Sequence, residues 1–240
     1  MKNSLALFLI ILLSVGFYSC GIVRVAPKYS FANGFYSSNK TGEKQAQVYV
    51  ENSEDSIYVY QVAGDKKTFQ VDTAVKNWLS FPQQDATTVL GSVYFKQASF
   101  DIDFLTIPFK LRPAAKGMPA QFNTNLNGAV YLGFRNDIYH ISYKKTPLGR
   151  FQKETTHYGF SAGLFNGLGG TAMNPWVTRN IVAAEYDGVV WSKGLSGIIG
   201  INNFTIGLAI GWDHLLDKNK SYWIYEGKPW LGLAFGLNLN

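Results

Sequence analysis

The sequence predicts an all-β protein: a closed antiparallel up-and-down transmembrane β-barrel of about eight strands, with ten as the alternative, preceded by a small β-rich N-terminal region. Three observations predict it. The 240-residue chain carries 24 glycines and 15% aromatic residues but only 16% charged residues, where soluble domains average about 25% charged. The closing stretch 228–240 alternates strictly. Leu231, Leu233, Phe235, Leu237 and Leu239 fall on one face of an extended strand, and Gly232, Ala234, Gly236 and Asn238 on the other. The same large-against-small alternation then recurs through the second half of the chain. Such a pairing of faces suits the crowded interior of a small membrane barrel. A soluble ligand-binding barrel would carry charges on its outer face, and almost no Lys or Glu stands there.

The elements follow in order. Lys2 and the apolar run 5–17 read as the basic and hydrophobic regions of an export signal, and the run is too short for a transmembrane helix. It ends in Gly16-Phe17-Tyr18-Ser19-Cys20-Gly21, with the only cysteine at the cleavage position. Residues 1–19 are therefore expected to be a lipoprotein-type signal peptide, and Cys20 the lipidated first residue. One cysteine permits no internal disulfide. Residues 20–93 read as a linker and a small β-rich region, periplasmic or plugging the barrel. It holds a hairpin of strands 45–50 and 56–61 around the polar cluster 51–55, a strand at 68–72 and a short helix at 74–81.

Residues 94–240 read as the barrel, with strands at 100–112, 122–135, 138–145, 156–166, 188–201, 203–213 and 229–239. An even count is required for closure with both ends on one side, so 89–96 or 222–225 should supply another. In 100–112 the apolar parity changes between Phe104 and Leu105, which predicts a bulge there, with Pro108 fitting the irregularity. Ile201-Asn202-Asn203-Phe204 predicts a tight hairpin, since Asn tolerates positive φ.

Several of these segments resemble a known group. Asp101-Ile-Asp-Phe-Leu-Thr-Ile-Pro-Phe-Lys-Leu-Arg-Pro113, Leu126-Asn-Gly-Ala-Val-Tyr-Leu-Gly-Phe-Arg135, Gly211-Trp-Asp-His-Leu-Leu-Asp-Lys-Asn219 and the closing Lys228-Pro-Trp stretch resemble uncharacterised outer-membrane β-barrel proteins of Bacteroidota. The resemblance implies a bacterial outer-membrane location and a barrel fold, and no activity.

Candidate chemistry is sparse. His140 and Ser142 share a strand face, and with His157 they are the candidates for base and nucleophile. No Gly-x-Ser-x-Gly turn surrounds Ser142, so a non-catalytic role is favoured. Asp101 and Asp103, with Asn123, Asn125, Asn127 and Arg135, are expected to satisfy one another as a polar network in the lumen. Trp191, Trp212, Trp223 and Trp230 fall near strand ends, as an interfacial aromatic girdle requires. Asp213, Asp217 and Asn219 lack the spacing of a calcium loop, and no metal or cofactor is expected.

The net charge of +6 is scattered through turns, which gives no basis for a nucleic-acid partner. The expected role is structural or binding, with outer-membrane lipids around a largely filled barrel and loops meeting an extracellular ligand or envelope protein. The rival readings are an outer-membrane lipid- or glycan-modifying enzyme and a narrow small-solute channel.

Overall fold

The computed structural model describes residues 30–39, 46–53, 56–63, 70–71, 79–82, 84–85, 92–202 and 204–237. The expected signal at 1–19, the lipidation site Cys20 and Asn238 lie outside the described residues. Thirteen strands are described: β1 (Gly34–Asn39), β2 (Ala46–Asn52), β3 (Ser56–Ala63), β4 (Gln70–Val71), β5 (Leu79–Pro82), β6 (Gln84–Asp85), β7 (Val93–Arg112), β8 (Gln121–Asn123), β9 (Asn127–Lys145), β10 (Phe151–Met173), β11 (Tyr186–Ile201), β12 (Phe204–Leu215) and β13 (Pro229–Leu237). The end of the segment expected as a helix at 74–81 is strand β5.

Strands β7, β9, β10, β11, β12 and β13 pair in that order, and β13 pairs back onto β7 from Leu231↔Leu111 to Leu237↔Phe104. They form a ring of six. A second circuit grows from the same long strands. Pairings run from β7 through β1, β2, β3 and β5; the short β6, which follows β5 in sequence, pairs with β10. The N-terminal strands therefore continue the sheet rather than plug the ring.

The expected transmembrane barrel of about eight strands is corrected to a six-stranded ring within a thirteen-stranded all-β sheet. Segments 122–135 and 138–145 are not two barrel strands. Most of both lies in β9, 19 residues long and paired with β10 from Asn127 to Lys145. Of segment 89–96, residues 93–96 begin β7, 20 residues long, and 222–225 is turn. The apparent breaks are places where the side chains change polarity while the backbone runs on. Among the described residues no helix is long and apolar enough to cross a membrane.

The parity change on β7 has the same origin. Leu105 and Ile107 point inward, continuing the face of Asp101 and Asp103. What changes at Phe104–Leu105 is the chemistry of the interior, not the register. The bulge lies further on: Phe235 pairs Thr106 but Leu233 pairs Phe109, so β7 carries one extra residue around Pro108. Proline removes a donor from the ladder and is tolerated at such a place. The shift turns Lys110 and Arg112 into the interior. At the far end of the ring the Asn202 turn forms as a two-residue hairpin, with Ile201↔Phe204 paired and Asn202 at φ 50°.

Reading inward-facing residues along the long strands gives five strata. The second circuit encloses an apolar core that includes Phe31, Val48, Val59, Phe95, Tyr139 and Ile141. A polar layer follows, with Asp101, Asp103, Arg135, Asp137, His157 and Ser161. The middle of the ring is apolar, filled by Leu105, Ile107, Tyr131, Phe165, Ile198 and Trp230. A second polar layer holds Lys110, Arg112, Asn127, Ser192 and Asp213. Met173, Val177, Val190, Leu215, Trp223, Ile224 and Tyr225 close the end. The bore is narrow enough that a Cβ on Gly211 would collide with the rings of Trp230 and Phe165.

Candidate functional site

The first polar layer sits where the ring meets the second circuit. Extended pairing of β7, β9 and β10 brings together side chains that alternate along each strand. Arg135 donates from Nε to Asp137 Oδ2 at 2.8 Å, and its Nη1 lies 3.9 Å from Asp101 Oδ1. His157 Nε2 is 2.7 Å from the other Asp137 oxygen. Ser161 donates to Asp101 at 2.8 Å and shares a 2.7 Å hydrogen bond with the Tyr131 hydroxyl. All six side chains of the layer are buried. Asp137 thus orients an imidazole while Arg135 balances it, and Ser161 is committed to Asp101.

A crevice of about 360 Å³ reaches His157 from the side of the second circuit, lined also by Phe31, Asn52, Ile57, Lys153, Thr155 and Asn202. Burial lowers the Lys153 ammonium below its ordinary pKa. Behind His157, the Tyr139 ring packs at 4.7 Å. Burial first, and then the Asp137 charge, push the Tyr139 hydroxyl well above its ordinary value.

The second polar layer is built around Asp213 on β12. Its carboxylate accepts from Ser192 at 2.6 Å, Trp230 Nε1 at 2.8 Å and Lys110 at 3.1 Å, and it also accepts from Arg112 Nη2. Lys110 further donates to Asn127 at 2.8 Å and lies 4.4 Å from the Trp230 ring centroid. Charge-assisted bonds of this kind hold best where water is excluded, and Asp213 is fully buried.

The loop 216–228 lies over this end and is tied down at both sides. Leu216 N donates to Val189 O, Gly227 N to Asp213 O, and Ile224 N to Val177 O. Glu226 accepts from Leu215 N and contacts His214 Nδ1 at 2.8 Å.

The residues singled out in the sequence divide accordingly. Asp101, Asp103 and Arg135 share the first layer. Asn127 belongs to the second, across the apolar middle of the ring, and its amide donates to the backbone of Asn125 and Ile107. Asn123 pairs opposite Lys110 on β8. The expected single network is thus two networks. His140 and Ser142 lie on the outer face of β9, where His140 stacks on Tyr94 at 4.4 Å, whereas His157 is interior; the three do not meet.

Trp191 and Trp212 face outward and are half-buried, with Trp191 donating to Asn166. Trp223 and Trp230 are interior, at 2% and 1% exposure, and they leave the expected girdle. Sequence reasoning missed Lys110, Asp137 and Ser192, and it weighed Asp213 only as a ligand of a calcium loop. The available signal was Lys110 and Arg112 two residues apart, on one face of a strand.

The expected functional readings are corrected by the same geometry. The Ser–His candidates are split between two faces of the sheet, and the interior is packed across its middle by Tyr131, Phe165 and Trp230. Among the described residues no group of His, Cys, Asp and Glu is placed to hold a metal ion. No family model matches the chain, and neither a curated protein nor a solved structure matches it.

Proposed function

We propose that this is a lipid-associated protein of the bacterial outer membrane whose ring takes acyl chains against its outer face and thereby holds the polar-walled second circuit, with its crevice, at the membrane surface. One observation carries the reading. Every strand of the ring presents large apolar side chains outward, among them Ile102 (61% exposed), Phe134 (75%), Leu164 (61%), Leu195 (54%), Leu208 (59%) and Leu231 (44%). Soluble monomers rarely expose a contiguous apolar patch beyond a few hundred Å². Each such side chain moved out of water contributes about 1.5–3 kcal/mol, so a belt with a member on every strand favours lipid strongly.

The belt stops where the second circuit begins. On β9 the outward series Val130, Leu132, Phe134 gives way to Asn136, Ile138, His140 and Ser142; on β7 Phe104, Ile102, Phe100 give way to Ala98, Lys96 and Tyr94. The export-type N-terminus read in the sequence is consistent with an envelope location.

Flotation with liposomes tests the reading. The wild-type chain should rise with the vesicles, and a variant carrying Phe134→Lys, Leu164→Lys and Leu208→Lys should remain in the dense fraction. A wild-type chain that stays monomeric in detergent-free buffer sinks the proposal, and one that forms a defined oligomer there would mean that a second copy covers the belt.

A further inference from the structure

We propose that the second polar layer binds a small inorganic anion, of the size and charge of chloride, against Arg112 beneath the 216–228 loop. The first ground is charge. Lys110 and Arg112 bring two cationic groups into a water-excluded space that holds one carboxylate, Asp213; the three side chains are 2%, 1% and 0% exposed. An uncompensated buried charge is among the costliest arrangements in a fold.

The second ground is the exhaustion of acceptors. Asp213 Oδ1 takes Ser192, Trp230 and Lys110, while Oδ2 takes Lys110 and Arg112. Asn127 Oδ1 takes Lys110. The other carboxylates of this end are committed elsewhere. Glu226 serves His214 and Leu215 N, and Asp217 serves Tyr186 and Asn219 N.

The third ground is a set of polar atoms that these acceptors do not reach. Arg112 Nε and Nη1, Trp223 Nε1 and the Tyr225 hydroxyl are buried with no hydrogen-bond partner among the described residues. Two belong to the Arg112 guanidinium itself, and the other two sit on rings beside it, with Arg112 Cζ 5.0 Å from the Trp223 ring centroid and 5.4 Å from that of Tyr225. A monatomic anion accepts from any direction, so one seated at an edge of the guanidinium can take an Arg112 N–H together with the N–H or O–H of a neighbouring ring. The packing of Arg112, Trp223 and Tyr225, each no more than 2% exposed, disfavours larger anions. The lid explains retention: its hydrogen bonds to β11 and β12 must open before an ion can leave.

The experiment uses the full protein in detergent, exchanged into gluconate at fixed ionic strength and titrated with chloride, bromide or sulfate. The thermal unfolding midpoint should climb with chloride and bromide and saturate, because an anion that binds only the folded state stabilises it by mass action; sulfate should do no more than gluconate. Arg112→Met should abolish the response.

Should that variant fail to fold, Trp223→Phe preserves the ring over Arg112 and removes one donor, and the apparent halide affinity should fall roughly tenfold. Crystals grown in bromide should show an anomalous peak within hydrogen-bonding distance of Arg112. Equal midpoints in chloride and gluconate, a halide response undiminished in the variants, or the absence of that peak would each overturn the site.

Discussion

Asp213 is the residue on which the second polar layer of the ring depends. Its single carboxylate faces Lys110 and Arg112, which stand 103 and 101 residues earlier in the chain, and removing it leaves two buried cations facing one another. Asp213→Asn should therefore destabilise the fold by about 3–5 kcal/mol, read as a lowered midpoint in chemical unfolding; an unchanged midpoint would mean that the network contributes no net stability.

A second prediction at this scale concerns the width of the bore. Gly211→Ala should cost about 1–3 kcal/mol by overpacking against Trp230 and Phe165. Gly197→Ala, where a Cβ meets nothing within 4 Å, should be nearly neutral. Equal effects in the two variants would contradict the narrow interior. The inward positions of Gly211 and Gly232 were legible from alternation alone. The burial of Trp230 was not, because a tryptophan beside small residues reads equally as a girdle residue until the opposite wall is known.

At the scale of elements, the informative feature is the irregularity in β7. One extra residue around Pro108 reverses which side chains point inward, and a one-residue change of register flips a whole strand face. Deleting Pro108 should therefore turn Lys110 and Arg112 outward and prevent the β13–β7 closure, seen as loss of protease resistance across 100–237. Pro108→Ala keeps the extra residue and should remain within about 1 kcal/mol of wild type. If the deletion variant stays as protease-resistant as wild type, the bulge is not what sets the interior.

That a bulge exists was readable from Pro108. Its position was misread because Leu105 and Ile107, apolar and inward, resemble outward residues whenever the interior is assumed to be polar. Strand number failed for a related reason. Asn136 and Asp137 look like a turn between strands, but in β9 one continues the outer face and the other orients His157.

The described strands form a single sheet in which a six-stranded ring closes and a second circuit shares the ring's long strands, and the two parts have opposite radial polarity. The ring is apolar outside and carries two polar layers within; the second circuit is apolar within and lined outside by Tyr94, Lys96, His140 and Ser142. Their interdependence can be tested by truncation. Removing residues 1–91 strips the cover from Val93, Phe95, Tyr139 and Ile141. Limited proteolysis should then cut within 140–156 while leaving the ring segments 186–237 protected, whereas full-length protein should resist cleavage at both. Unchanged protection of 140–156 after truncation would mean that the arms of β9 and β10 stand without the N-terminal strands.

The sequence by itself determined the all-β class, the alternation that sends large apolar residues to one face of β10 to β13, and the hairpin at Asn202, because period-two patterning and turn chemistry are local. Only the tertiary structure decided that six strands close the ring, that the interior alternates between polar and apolar layers, and that Lys110, Arg112, Ser192 and Asp213 meet. Those outcomes depend on which strand lies opposite which, and on a bore too narrow to admit a side chain at Gly211, and no local pattern carries either.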